Sequence, residues 1–177
     1  MIIRKKRRLQ NLTDYKKRVA LVKGDMPRIV VRRSNRQIIM QIVEYHSDGD
    51  IIIAMVTSNE LKKFGWSPRS NTPTAYLTGM LLTKKSEKLN GRECILDIGL
   101  YKPTASAILF AAAKGAIDNG IKLRANIKFD DARIKGTHIK NYYLQSKDNF
   151  TGYDKEKFNV EKIEELFEKA KEQIKRV

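Results

Sequence analysis

The sequence predicts an α/β domain built on a mixed sheet, with a basic arm ahead of it and an amphipathic helix behind it. Three observations point there. Three apolar, β-branched runs succeed one another across short polar turns, the pattern of an antiparallel meander. A further apolar run, Glu93–Ile98, stands alone between two helical stretches, as a strand reached by a crossover must. Basic residues crowd into the first fifth of the chain.

Residues 1–11 hold few apolar positions and five consecutive cations, Arg4, Lys5, Lys6, Arg7 and Arg8. Such a segment buries too little surface to offset its ordering entropy, so it is expected to order on a partner. Thr13 can cap a short helix whose narrow stripe of Tyr15, Val19 and Val22 would dock on the domain. Lys16, Lys17, Arg18 and Lys23 flank that stripe, and Gly24 stands where a left-handed C-terminal residue belongs. Pro27 then opens a strand that carries Arg28 and runs Ile29–Arg33, and Ser34-Asn35-Arg36 reads as a tight turn. Ile38–Tyr45 and Ile51–Val56 complete the meander, joined through His46–Asp50.

Thr57 and Glu60 have capping-box spacing, with Gly65 to end that short helix. Thr72 as cap and Pro73 at the first position predict a longer helix, with Tyr76, Leu77, Met80 and Leu81 on its apolar face and Gly91 at its end. Glu93–Ile98 reads as a strand buried on both faces, and Ser106–Asn119 as an Ala-rich helix stopped by Gly120. Gly79 and Gly115 fall inside helices at a cost, which close packing against a neighbour would explain. Residues 130–152 show no clear period and read as a long loop or as structure induced by a partner. Val160–Lys175 is amphipathic, with Val160, Ile163, Leu166, Phe167, Ala170 and Ile174 on one face, Asn159 as cap, and cations at its end. The organisation read from this is a basic arm and short helix over 1–26, an α/β domain over 27–129, and a loop with a C-terminal helical extension over 130–177.

The chain of 177 residues carries 36 Lys or Arg against 20 Asp or Glu, a net charge of +16. Residues 1–36 hold thirteen of those cations against Asp14 and Asp25, a net of +11, so the remaining 141 residues carry only +5. An arm of that charge on a more ordinary domain calls for a polyanionic partner. The groups that grip folded RNA are phosphate-neutralising cations, guanidinium forks and stacking aromatics. Tyr15 among the helix cations, and Arg28, Arg32, Arg33, Asn35 and Arg36 around the first turn, supply them together. Cys94 is the only cysteine, so no internal disulfide forms, which fits a reducing, cytoplasmic setting. No apolar run approaches a membrane span, and Leu9–Leu12 leads into polar sequence rather than the apolar stretch of a secretion signal.

Catalysis has little to build on. The two histidines, His46 and His138, and Cys94 are far apart and lack zinc-site spacing, and no phosphate loop occurs, so no metal or cofactor is expected. Cys94, between apolar neighbours, reads as a core thiol. The exception is Asp97, which closes a strand before Gly99 and could hold a metal ion in a nuclease of ribonuclease-H-like type. Two-metal chemistry needs several carboxylates, and the meander offers no central acid, so Asp97 reads instead as a cap for the following turn.

Several segments, in order, resemble the archaeal and eukaryotic form of the large ribosomal subunit protein eighteen family. They are Thr13–Arg18, Pro27–Arg36, Gly65-Trp66, Asn71–Gly79, Leu96–Leu100, Lys114–Ala116, Asp118–Gly120 and Arg133–Ile139, covering roughly residues 10–140. The chain departs from the family pattern at Lys102–Leu109, which lacks a glycine before the helix, and between Gly120 and Arg133. The resemblance implies a non-enzymatic ribosomal protein of the central protuberance. Its partners would be 5S rRNA, the large-subunit rRNA and neighbouring large-subunit proteins. It also implies a ribonuclease-H-like sheet without an active site, and RNA contacts on the arm and first turn. The two rival readings are the Asp97 nuclease and a free-standing RNA chaperone that would bind many RNAs alike.

Overall fold

Alternation sets the buried side of the sheet: Ile29 and Val31, Ile38, Met40 and Ile42, and Ala54 and Val56 all point to one face and are buried. The computed structural model describes residues 6–10, 12–86, 89, 91–150, 152–153 and 158–176. Strands β1 (Arg28–Arg33), β2 (Ile38–Glu44) and β3 (Ile51–Thr57) form the expected antiparallel meander, with Ile29 opposite Ile42 and a register shift at Ile42/Val43. β4 (Ile95–Asp97) joins β1 in parallel, with Val30 opposite Asp97, and among the described residues the order is β3-β2-β1-β4. The sheet is mixed, as predicted.

β4 is shorter than the apolar run suggested, and Ile95 and Leu96 are only half-buried. It is the edge of the ladder, extended by a single parallel bridge from Cys94 to Leu123. An edge strand whose Asp97 turns toward a charged cluster is not covered on both faces.

Helix α3 (Thr72–Lys84) lies across the sheet, buried from Thr72 to Leu82. Its cap is Asn71, whose side chain accepts the Thr74 N–H at 3.1 Å, and this moves the start one residue ahead of the Thr72 expectation. The helix stops well before Gly91, because the Ser86 N–H and hydroxyl both bond the Thr83 carbonyl and close the last turn. Helix α4 (Ile108–Asp118) crosses α3 where two glycines meet backbone. A Cβ at Gly79 would overlap the Ala112 carbonyl oxygen, and one at Gly115 the Tyr76 carbonyl oxygen. That contact explains both glycines. Ser106 stands outside α4 in a left-handed conformation (φ 57°), so the helix begins later than predicted.

The capping box at Thr57 and Glu60 is present, with Thr57 N–H donating to Glu60 Oε1 at 3.1 Å, but the segment Ser58–Phe64 is a 3-10 helix. Of the two readings of residues 130–152, the long loop does not hold over 131–150, which is mostly helical. Asp130 caps α5 (Asp131–Lys135), left-handed Gly136 (φ 92°) ends it, and α6 (Thr137–Gln145) follows at once. Helices this short never establish a readable period. The C-terminal helix α7 (Ile163–Arg176) buries Ile163, Phe167, Ala170 and Ile174, entered through a turn capped by Asn159 as expected. Phe167 packs on Trp66 and Tyr76, at ring distances of 6.1 and 5.8 Å, so the last helix shares one buried cluster with the sheet.

Candidate nucleic-acid interface

Helix α2 (Tyr15–Val22) is capped by Asp14, not Thr13, with the Lys17 N–H donating to Asp14 Oδ1 at 3.1 Å. It does not dock through its apolar stripe: no residue of α2 is buried, and Val19 is 52% exposed. The helix is seated by polar groups instead. Lys17 Nζ donates to the Gly99 carbonyl at 2.9 Å, and Arg18 pairs with Asp50 at 2.9 Å. The left-handed residue beyond it is Asp25 (φ 48°), in place of the predicted Gly24.

Asp50 is the first link of a relay of charges under α2. It also holds Arg28 at 2.7 Å, Arg28 reaches Asp97 at 3.5 Å, and Asp97 takes Arg32 at 3.1 Å. Arg28, Val30 and Arg32 share the sheet face that α2 covers, opposite Ile29 and Val31. The Arg32 guanidinium donates to the Val31 and Asp97 carbonyls and lies on Gly99, where a Cβ would come within 3.0 Å of it. Arg28, expected as an RNA contact, is 3% exposed and spent on two aspartates. Its role is to anchor the helix that carries other cations.

Alternation sends Arg33 the other way. Its Nε donates to Ser70 Oγ at 2.8 Å, Ser70 donates to the Ser34 carbonyl at 2.8 Å, and Tyr101 donates to the Arg33 carbonyl at 2.7 Å. Ser34 Oγ also accepts the Gln37 N–H at 3.0 Å. The turn is thus braced from three sides, and Arg33, Asn35 and Arg36 project from it exposed.

Of the arm residues, Lys6 and Arg7 lie on a short helix α1 (Lys6–Leu9), both exposed, and Arg7 Nε donates to Thr13 Oγ1 at 3.0 Å. Arg4, Lys5 and the Arg8 side chain lie outside the described residues. Tyr15 and Lys17 are half-covered, and Lys16 and Lys23 are exposed. The predicted cations therefore form two groups, one along α1 and α2 and one at the β1–β2 turn. Missing from the sequence reading were Arg69, Ser70, Asn71, His138 and Tyr142, which the fold brings beside Arg33 and Asn35. They come from a loop and from α6, so no local pattern could have joined them.

The rival chemistry finds its key groups occupied. Asp97 Oδ1 accepts from Arg32 and from the Gly99 N–H at 2.8 Å, and Oδ2 faces Arg28, so a cation would have to displace two guanidiniums. Burial pushes the Cys94 thiol up to about 11, the opposite of an activated nucleophile. Among the described residues no group of three or more His, Cys, Asp or Glu could hold a metal ion. The cap role expected for Asp97 is present, but the relay raises its structural weight. Asp97→Asn should cost roughly 2–3 kcal/mol by thermal or denaturant unfolding, because Arg28 is left buried with one partner. A loss below about 0.5 kcal/mol, the scale of an ordinary surface change, would mean that Asp50 alone compensates Arg28.

Residues 2–93, which contain the arm, the meander and α3, match the family model described as ribosomal large subunit proteins 60S L5 and 50S L18. The large ribosomal subunit protein uL18 of Thermofilum pendens is 40% identical over 96% of this chain and 92% of its own length. This chain belongs to the uL18 family. The uL18 of Korarchaeum cryptofilum is 39% identical over 96% of the chain and 91% of the relative, and that of Methanoregula boonei 44% over 77% and 80%. The likeness to the Thermofilum and Korarchaeum uL18 proteins extends through α6 and α7, beyond the segments that carry the resemblance in the sequence. Among the described residues no helix is long and apolar enough to cross a membrane.

Proposed function

We propose that this chain is a structural constituent of the large ribosomal subunit that binds 5S rRNA and helps attach it to the large rRNA in the central protuberance. Membership of the uL18 family supports the ribosomal setting, with rRNA and neighbouring ribosomal proteins as partners. One observation carries the RNA contacts: the division of labour among the cations. Arg18, Arg28 and Arg32 are matched to Asp50 and Asp97 inside the frame. Lys16, Lys23, Arg33 and Arg36 stand exposed, without an acidic partner among the described residues. Charges left unpaired by the fold are the ones a phosphate backbone can neutralise. The arm and α2 supply mainly that term, and the braced turn supplies geometry.

Guanidinium can grip a phosphate bidentately or stack on a base, whereas lysine is a point charge. Arg33→Lys and Arg36→Lys keep the net charge and remove the fork. At least one should weaken 5S rRNA binding by about 1–2 kcal/mol, roughly five- to thirtyfold, and weaken binding to an unrelated duplex less. Arg32→Lys should act mainly through stability, since its fork is held by Asp97. Equal losses on both RNAs at fixed salt, or none, would reduce the turn to generic positive surface.

A further inference from the structure

Beside the β1–β2 turn lies an open groove of about 640 Å³, within the range of small-molecule sites. Its walls come from four places in the sequence: Arg33 and Asn35 on the turn, Arg69 to Asn71 before α3, His138 and Tyr142 on α6, and Phe150 with Tyr153 beyond it. Among the described residues, no acidic side chain lines it. Tyr142 is 50% exposed although it is held in place: its ring leans on Phe150 at 5.7 Å, and its hydroxyl accepts from Asn149 Nδ2 at 2.9 Å. Other lining residues are held as well, with Arg33 Nε tied to Ser70 and Asn71 Nδ2 donating to Tyr153 Oη at 2.9 Å. Arg69 lies over the Tyr153 ring, 4.9 Å from its centroid.

From this we infer that the groove receives an unpaired RNA nucleotide, its base stacked on Tyr142 and its Watson–Crick edge and phosphate facing Asn35 and Arg33. The inference rests on the RNA-binding reading above and adds to it a site for a splayed-out base. The chemistry selects that occupant. A fixed aromatic ring gives stacking without sequence demand, and an amide in the same groove offers both donor and acceptor to a base edge. The cations of its described lining, Arg33 and Arg69, favour a phosphodiester over a neutral wall of protein. Burial and the neighbouring Arg133 hold the His138 imidazole below its ordinary range, so at neutral pH it contributes an uncharged ring rather than another cation. Nothing in the local sequence marks the groove, because its walls meet only through the docking of α6.

The test uses the full chain with two probes of equal phosphate count, single-stranded hexaadenylate and a short RNA duplex, at fixed salt. Tyr142→Ala should bind hexaadenylate about tenfold more weakly, as loss of one stacked base demands, with the salt slope unchanged. Duplex affinity should change less than about twofold, and Tyr142→Phe, which keeps the ring, should bind both probes as the parent does. Asn35→Ala, at an exposed turn position, gives a second variant with the same selectivity and a smaller loss. Matched thermal melts exclude an unfolding artefact. Failure of the parent to bind hexaadenylate, equal losses on both probes, or no loss in either alanine variant would overturn the inference. The last of these results would assign the groove to a protein neighbour. The two readings fail separately. Selective loss on hexaadenylate without preference for 5S rRNA would leave the groove and remove the 5S assignment. A 5S preference with hexaadenylate binding indifferent to Tyr142 would do the reverse.

Discussion

Deleting residues 1–10 should leave a folded chain that has lost most of the steep salt dependence of its RNA binding. The segment carries Arg4, Lys5, Lys6, Arg7 and Arg8, and its described residues are exposed. Each phosphate neutralised releases close to one counterion, so five such contacts steepen the log–log salt slope by about 4. Between roughly 50 and 200 mM salt the intact chain should therefore lose about 250-fold more affinity than the truncated one. Stability should barely move, since the core begins at Ile29 and the Arg7–Thr13 hydrogen bond is a surface contact. An unchanged slope would mean that these residues face something other than phosphate.

The largest stability effect should come from Gly79→Ala. In an isolated helix this change is favourable by about 0.5–1 kcal/mol, since alanine loses less backbone entropy. Here the added methyl group would meet the Ala112 carbonyl, rigid backbone of the neighbouring helix. The helices must separate, which uncovers the most buried element of the fold. We expect a loss of about 3 kcal/mol or more and a fall in Tm of roughly 6–12 °C. Gly115→Ala should behave alike, because it presses on the Tyr76 carbonyl from the other side. A neutral or stabilised variant would show that the α3–α4 contact is looser than the structure has it.

These glycines also show what a sequence can disclose. Gly79 and Gly115 violate helix propensity, and a violation with no local reason points to a tertiary one. The meander, the Thr57 and Glu60 pair and the apolar stripe of α7 were legible for a related reason: each is fixed by residues within a few positions of one another. The seat of α2 was not. Tyr15, Val19 and Val22 have helical spacing, but a five-residue relay from Arg18 to Arg32 decides which side faces the sheet, and its members lie up to 79 residues apart. The burial of Arg28 was hidden for the same cause, since a cation in a basic stretch gives no sign of the two aspartates that pair with it. The groove at Tyr142 depends on α5 and α6, whose lengths of five and nine residues are too short to establish a period. The cations of the arm and turn were legible, whereas their sorting into anchors and exposed groups required the fold.

The central claim is selective recognition of 5S rRNA, and one measurement reaches it directly. The intact chain is titrated, at one fixed salt concentration, with 5S rRNA and with an unrelated folded RNA of the same length. Charge alone would treat the two alike, because both present the same number of phosphates. Binding to 5S rRNA should be tighter by about a hundredfold or more, as shape-dependent contacts at the turn add to the shared electrostatic term. Equal affinity for both RNAs would contradict it, and would leave a basic protein that binds folded RNA without choosing among them.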